Sequence, residues 1–345
     1  MTQTTPLTQD PGSVRHAGPS RPLAPARRVL RALAVLACVP YVSLKVVWIA
    51  GGRLGIPDGS PLLERPAAMA AANTVTVAMD ACVIVLALLL TQAWGRRVPA
   101  PLLVLPMWVA TGLLAPIMAA YPLQLLVKAF RGGADAPAPD GSASFLDEWV
   151  FGVVYGGFIV QGITLGALFV LYAKERWAHL WQGRTGQLPP VGRGLTALGG
   201  TAALLATAAA VPQMLRAAGG DPAGEGPLSV DQRIVEGVHA GFTVLCAASV
   251  LVLVLRTGRT SRSGQTKHDV NRLSAKVVLG VAWVTSGAVG CTAGWMLVTL
   301  PFAGGGADTP PALTLLSYAA KVIIALLALV GGSAFLLRLR RRPTA

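Results

Sequence analysis

Eight apolar stretches, each close to the roughly 20 residues that a helix needs to cross a bilayer, recur along this chain of 345 residues. They run from Val29 to Gly52, Ala68 to Trp94, Pro99 to Ala129, Glu148 to Ala173, Gly192 to Leu215, Arg233 to Leu255, Ser274 to Phe302 and Ala312 to Leu337. In lipid every backbone N–H and C=O must be satisfied within the protein, and a run of this length does so as an α-helix. The expectation is an all-α, polytopic membrane helix bundle of about eight transmembrane helices. Residues 1–28 are rich in Pro, Thr, Ser and Gly without an apolar period and read as a disordered cytoplasmic tail. Residues 29–338 form the transmembrane domain, and 339–345 a basic cytoplasmic end.

Charge narrows the class further. Only 13% of residues are charged, against roughly 25% in a soluble domain. The formal net charge of +14 would suit a nucleic-acid binder only if Lys and Arg gathered on one folded polar face. They stand instead in short segments between apolar runs, so nucleic acid is excluded and membrane lipid is the implied partner.

The same charges orient the chain. On one side lie Arg15, Arg21, Arg27, Arg28, Arg31, then Arg96 and Arg97, then Lys174, Arg176, Arg184 and Arg193. The Arg256–Lys276 segment and the Arg338–Arg342 end belong to that side too, bringing it to 21, against 6 opposite: Arg53, Arg65, Lys128, Arg131, Arg216 and Arg233. The positive-inside rule therefore predicts both termini in the cytoplasm of a bacterial cell, with the protein in the plasma membrane. Trp48, Trp94, Trp149, Trp177 and Trp181 fall at predicted interfaces, as an aromatic belt would place them.

Redox, metal and nucleotide chemistry find no support. Cys38, Cys82, Cys246 and Cys291 sit in separate apolar runs and read as small packing residues. No metal-ligand spacing, phosphate loop or nucleophile elbow occurs, and of the four histidines only His239 lies inside a span. No cofactor and no metal is expected.

Within the spans stand five ionisable residues: Lys45, Asp80, Glu236, His239 and Lys321. Each costs about 2.5 kcal/mol or more at mid-bilayer unless paired or wet. They sit on polar stripes at helical spacing: Tyr41, Lys45 and Trp48; Asn73, Thr76 and Asp80; Gln232, Glu236, His239 and Thr243; Thr314, Ser317 and Lys321. Four such faces are expected to converge, with Asp80 paired to Lys321 or else to Lys45. The functional explanation is an outward-facing polar chamber that binds a solute or ion. The structural one is a set of buried pairs fixing helix register, with Lys45 and Glu236 snorkelling outward.

A faint internal echo divides the chain into two sets of four spans. Val39-Pro40 precedes Trp108-Val109-Ala110-Thr111-Gly112 much as Val211-Pro212 precedes Trp283-Val284-Thr285-Ser286-Gly287. An even number of spans per half would relate the halves as a 4+4 parallel repeat about an axis along the membrane normal. Gly152/Gly156, Gly162/Gly166 and Gly290/Gly294 offer close helix contacts.

Arg outnumbering Lys, with abundant Ala, Gly and Pro, fits a GC-rich bacterial genome. At Tyr41-Val42-Ser43-Leu44-Lys45-Val46-Val47-Trp48 with Gly51, Gly52 and Gly55, and at Leu105-Pro106-Met107-Trp108-Val109-Ala110-Thr111-Gly112-Leu113-Leu114, the chain resembles uncharacterised multi-pass membrane proteins of high-GC actinobacteria. The resemblance covers mainly the first three spans and implies the class without an activity. Three functions stay open: a small-solute or ion-coupled transporter, a non-catalytic scaffold or partner subunit, and, less favoured, an enzyme acting on lipid-linked substrates.

Overall fold

The computed structural model describes residues 25–131, 146–178, 192–222, 224, 226–255, 274–303 and 311–340. Eight helical spans long and apolar enough to cross a membrane account for nearly all of it. The first span is broken into α1 (Pro25–Leu36) and α2 (Cys38–Ile49). The others are α3 (Pro66–Thr91), α4 (Ala100–Phe130), α5 (Glu148–Trp177), α6 (Arg193–Ala218), α7 (Val230–Leu255), α8 (Ala275–Ala303) and α9 (Ala312–Arg340). The first helix starts four residues before the expected boundary at Val29, so Pro25–Arg28 belong to a helix. Residues 1–24 and 341–345 lie outside the described part.

Local chemistry accounts for the breaks and ends. Pro40 has no N–H for the carbonyl of Leu36, and its ring disfavours the preceding turn, so the first span splits at Ala37. Pro66 opens α3 where a missing N–H costs nothing. Gly219, with φ 98°, closes α6 as its N–H bonds the Arg216 carbonyl and Gly220 bonds that of Leu215.

Because the number of spans is even, the first and last helices end on the same side, here called the terminal face; the opposite side is the distal face. Apolar residues such as Leu102, Leu204, Ile163 and Leu316 cover the outside, as a lipid-facing surface requires. Helix neighbours repeat between the two halves. In the first, α1 and α2 pack on α3 and α5, α3 on α4, and α4 on α5; in the second, α6 packs on α7 and α9, α7 on α8, and α8 on α9; α3 also packs on α5, a contact that α7 and α9 do not repeat to a similar extent. The halves meet along α4 and α8, flanked by the α4–α7 and α8–α3 contacts, which exchange under the same correspondence.

Two glycines at matching positions bring α4 and α8 together. Trp108 and Trp283 are each the ninth residue of their helix, and Gly112 and Gly287 each the thirteenth. A Cβ at Gly112 would strike the carbonyl group of Gly287, and one at Gly287 would lie 3.1 Å from Gly112 Cα. Residues at matching positions of α4 and α8 thus touch, an arrangement compatible with a two-fold relation between the halves. The indoles do not share the symmetry: Trp108 Nε1 donates to Ser286 Oγ at 3.2 Å, while Trp283 stacks on Phe169 at 5.7 Å between centroids.

Two tryptophans depart from the expected belt. Trp48 is buried and donates to the Leu54 carbonyl at 2.8 Å, and Trp177 packs edge-on against Phe169 and Tyr172. The distal loop and the α5 terminus each supply enough apolar surface to enclose an indole. Trp94 and Trp149 are exposed, as a belt residue is; Trp181 lies outside the described residues.

Candidate functional site

The polar stripes turn inward, but they do not meet in one chamber. They form two separate columns, one in each half, because α3 packs on α1, α2 and α5 whereas α9 packs on α6 and α8.

The first column follows the antiparallel register of the broken span against α3, with Lys45 opposite Asn73, Tyr41 opposite Thr76 and Cys38 opposite Asp80. Near the distal face, Lys45 Nζ donates to Asn73 Oδ1 at 2.7 Å and rests 4.8 and 5.0 Å from the ring centroids of Tyr41 and Trp48. One turn deeper Tyr41 lies beside Thr76, whose Oγ1 donates to the Asn73 carbonyl at 2.9 Å. Deeper still, about 20 Å from the distal start of α3 by helix rise, lies Asp80, 3% exposed. Its Oδ1 accepts from Gln161 Nε2 of α5 at 3.1 Å. The same amide reaches Cys38 Sγ at 3.2 Å, and the thiol aims at the Ala34 carbonyl at 3.3 Å. That leaves Asp80 Oδ2 buried without a well-directed donor among the described residues. The expected ion pair of Asp80 with Lys321 or Lys45 is therefore not formed: Lys321 belongs to the other half, and Lys45 is held two turns away by Asn73, with only its charge felt at Asp80.

Above this column the distal loop folds back. Leu44, Trp48, Ile56 and Val150 form an apolar plug, and Asp147 N–H donates to the Gly55 carbonyl at 3.0 Å. Gly55 adopts φ 73°, and a Cβ there would strike Val150, so glycine alone fits that close approach. Two grooves, one between α2 and α5 and one among α4, α5 and α8, are lined almost wholly by apolar side chains, and Asp80 lines neither.

The second column lies among α6, α7 and α9. Arg216 Nε stands 4.0 Å from Glu236 Oε1, and its Nη1 is 3.8 Å from Asp221 Oδ1. Below them the buried Thr243 hydroxyl lies between Gln213 Oε1 at 3.0 Å and the His239 carbonyl at 2.8 Å. Lys321 enters from α9, 8% exposed, within electrostatic range of Glu236 and His239. Among the described residues it makes no hydrogen bond or ion pair; its ammonium sits 5.6 Å from the Tyr318 ring centroid. Ser317, half-buried, lies one turn above it.

The columns occupy equivalent places. Asn73, Thr76 and Asp80 on α3 have the same spacing as Glu236, His239 and Thr243 on α7, and Phe158 and Gln161 on α5 the same spacing as Tyr318 and Lys321 on α9. The Lys45–Asn73 contact near the distal face is then comparable with Arg216–Glu236, Arg216 standing one residue before the position equivalent to Lys45; Thr243 and Lys321 stand where Asp80 and Gln161 do by spacing, without a hydrogen bond between them. Beside the proline of each first span, Tyr41 corresponds to Gln213.

Gln161, Gln213 and the Cys38 thiol were not legible as part of a site. Gln161 and Gln213 are lone amides in the middle of apolar spans, outside any polar stripe, and that isolation was the available signal. No group of three or more potential metal ligands occurs among the described residues. Comparison with protein-family models, with curated proteins and with solved structures returns no match.

Proposed function

We propose that the protein is a transporter of a small solute or ion in the bacterial plasma membrane, with both termini in the cytoplasm. The observation that carries the reading is the duplicated polar column: each half leads hydrogen-bonding groups inward from the distal face and stops near mid-span, where binding sites of parallel-repeat transporters lie. Packing alone offers no reason to place two such columns at equivalent positions, since each removes polar side chains from water at a cost. The orientation rests on the distribution of Lys and Arg, and the likeness to actinobacterial multi-pass proteins supports the class.

The test is reconstitution into sealed vesicles and measurement of uptake for amino acids, carboxylates and inorganic ions, with empty vesicles as the baseline. Protein-dependent uptake of one solute class, reduced by Asp80→Asn or Lys321→Gln, supports transport. A second reading, a partner subunit or scaffold, is favoured by the apolar plug above the first column and the apolar α2–α5 groove. Retrieval of a stoichiometric membrane partner by the tagged protein, with no uptake of any solute, would decide for it.

A further inference from the structure

The first half supplies a template for the second. At the deep end of the first column a side-chain donor on α5, Gln161, meets a carboxylate that the chain itself provides, Asp80. In the second column the residue that matches Gln161 by spacing is Lys321 on α9, and the one that matches Asp80 is Thr243 on α7, with no hydrogen bond between the two. The donor has gained a full positive charge while the internal carboxylate has been lost. Glu236 corresponds to Asn73, lies toward the distal face and stands 4.0 Å from Arg216 Nε, so that it acts on Lys321 at a distance without forming an ion pair with it. A buried ammonium without a hydrogen-bonding acceptor is costly, and removing a charge from water repays itself only when a counter-charge is close.

We infer that the second column is a binding site for the carboxylate group of a small solute, which takes the place that Asp80 fills in the first half. Lys321 supplies the charge partner, about 13 Å below the distal start of α9 by helix rise. Thr243, Gln213 and His239 line the adjoining polar face; the Thr243 hydroxyl, now directed at Gln213 and the His239 carbonyl, can turn to an incoming oxygen by exchanging its present acceptor for it. The assignment of a transported solute rests on the transporter reading; the binding site itself does not.

The experiment is thermal unfolding of the purified full chain in detergent, followed by tryptophan fluorescence, with sodium acetate, succinate or glutamate added at ionic strength matched with sodium chloride. A carboxylate-specific rise in Tm is expected for the wild type. It should disappear in Lys321→Gln, which installs the amide of the first half and leaves no buried charge to impair folding. It should also disappear in Thr243→Asp, which supplies the carboxylate internally and should raise the Tm of the ligand-free protein. Wild type indifferent to every carboxylate, or Lys321→Gln responding as wild type does, would overturn the proposal. A rise caused only by added phosphatidylglycerol would overturn it too, making the anion a lipid headgroup. Should Lys321→Gln fail to fold, ¹⁵N NMR of the wild-type lysine ammonium groups decides, since a bound carboxylate must shift one resonance and chloride must not. A Tm response without vesicle uptake would keep the site and remove the transport reading.

Discussion

Replacing Gly112 by Ala tests the contact on which the two halves are joined. The added Cβ would lie 2.9 Å from Gly287 Cα and closer still to its carbonyl oxygen, where carbon atoms ordinarily stand about 3.5–4.0 Å apart. Backbone atoms cannot rotate away, so α4 and α8 must separate by roughly 1 Å. Overpacking of this kind costs about 1–3 kcal/mol, and the better helix propensity of alanine returns at most about 1 kcal/mol. A net loss of about 1–2 kcal/mol is expected. Gly287→Ala meets Gly112 Cα and the Trp108 carbonyl at 3.1 Å, a milder overlap that should cost about half as much. Gly294→Ala is the control, its methyl reaching only Val322 Cγ2 at 3.9 Å, and should be neutral or stabilising. The assay is unfolding in mixed micelles by increasing dodecyl sulfate, followed by tryptophan fluorescence. The Gly112→Ala, Gly287→Ala double variant should lose less than the sum of its parts, because one separation relieves both overlaps. If Gly112→Ala unfolds together with Gly294→Ala, the two helices do not meet at these glycines and the two-fold arrangement is wrong.

Asp80→Asn and Lys321→Met should act additively on stability, within about 0.5 kcal/mol, because the residues belong to separate columns; strong coupling in the double-mutant cycle would restore the direct pair. Gln161→Leu strips Asp80 of its donor and should destabilise by about 1–3 kcal/mol, a loss that Asp80→Leu in the same chain should largely recover if the carboxylate is the cause. In intact cells, Ser142→Cys should react with an impermeant thiol reagent and Ser263→Cys should not, on a background in which the native cysteines are replaced; the reverse pattern would invert the orientation.

The spans were legible in the sequence because crossing a bilayer is a local demand of length and hydropathy, met by α3 or α7 with little reference to a partner. The stripes Asn73–Thr76–Asp80 and Glu236–His239–Thr243 were legible too, since helical spacing alone puts them on one face and lipid forbids that face the outside. Which stripes meet was not, because a stripe names a direction on its own helix and not the neighbour it faces. That choice was made by remote contacts: two glycines 175 positions apart that let α4 and α8 touch, and Gln161, which reaches Asp80 from α5. Asp80 and Lys321 look complementary as charges in a list, and the packing of the halves keeps them in different columns. The echo at Trp108 and Trp283 hinted at a duplication; only the tertiary structure brings Gly112 against Gly287, since a contact is a relation between helices that no single helix carries.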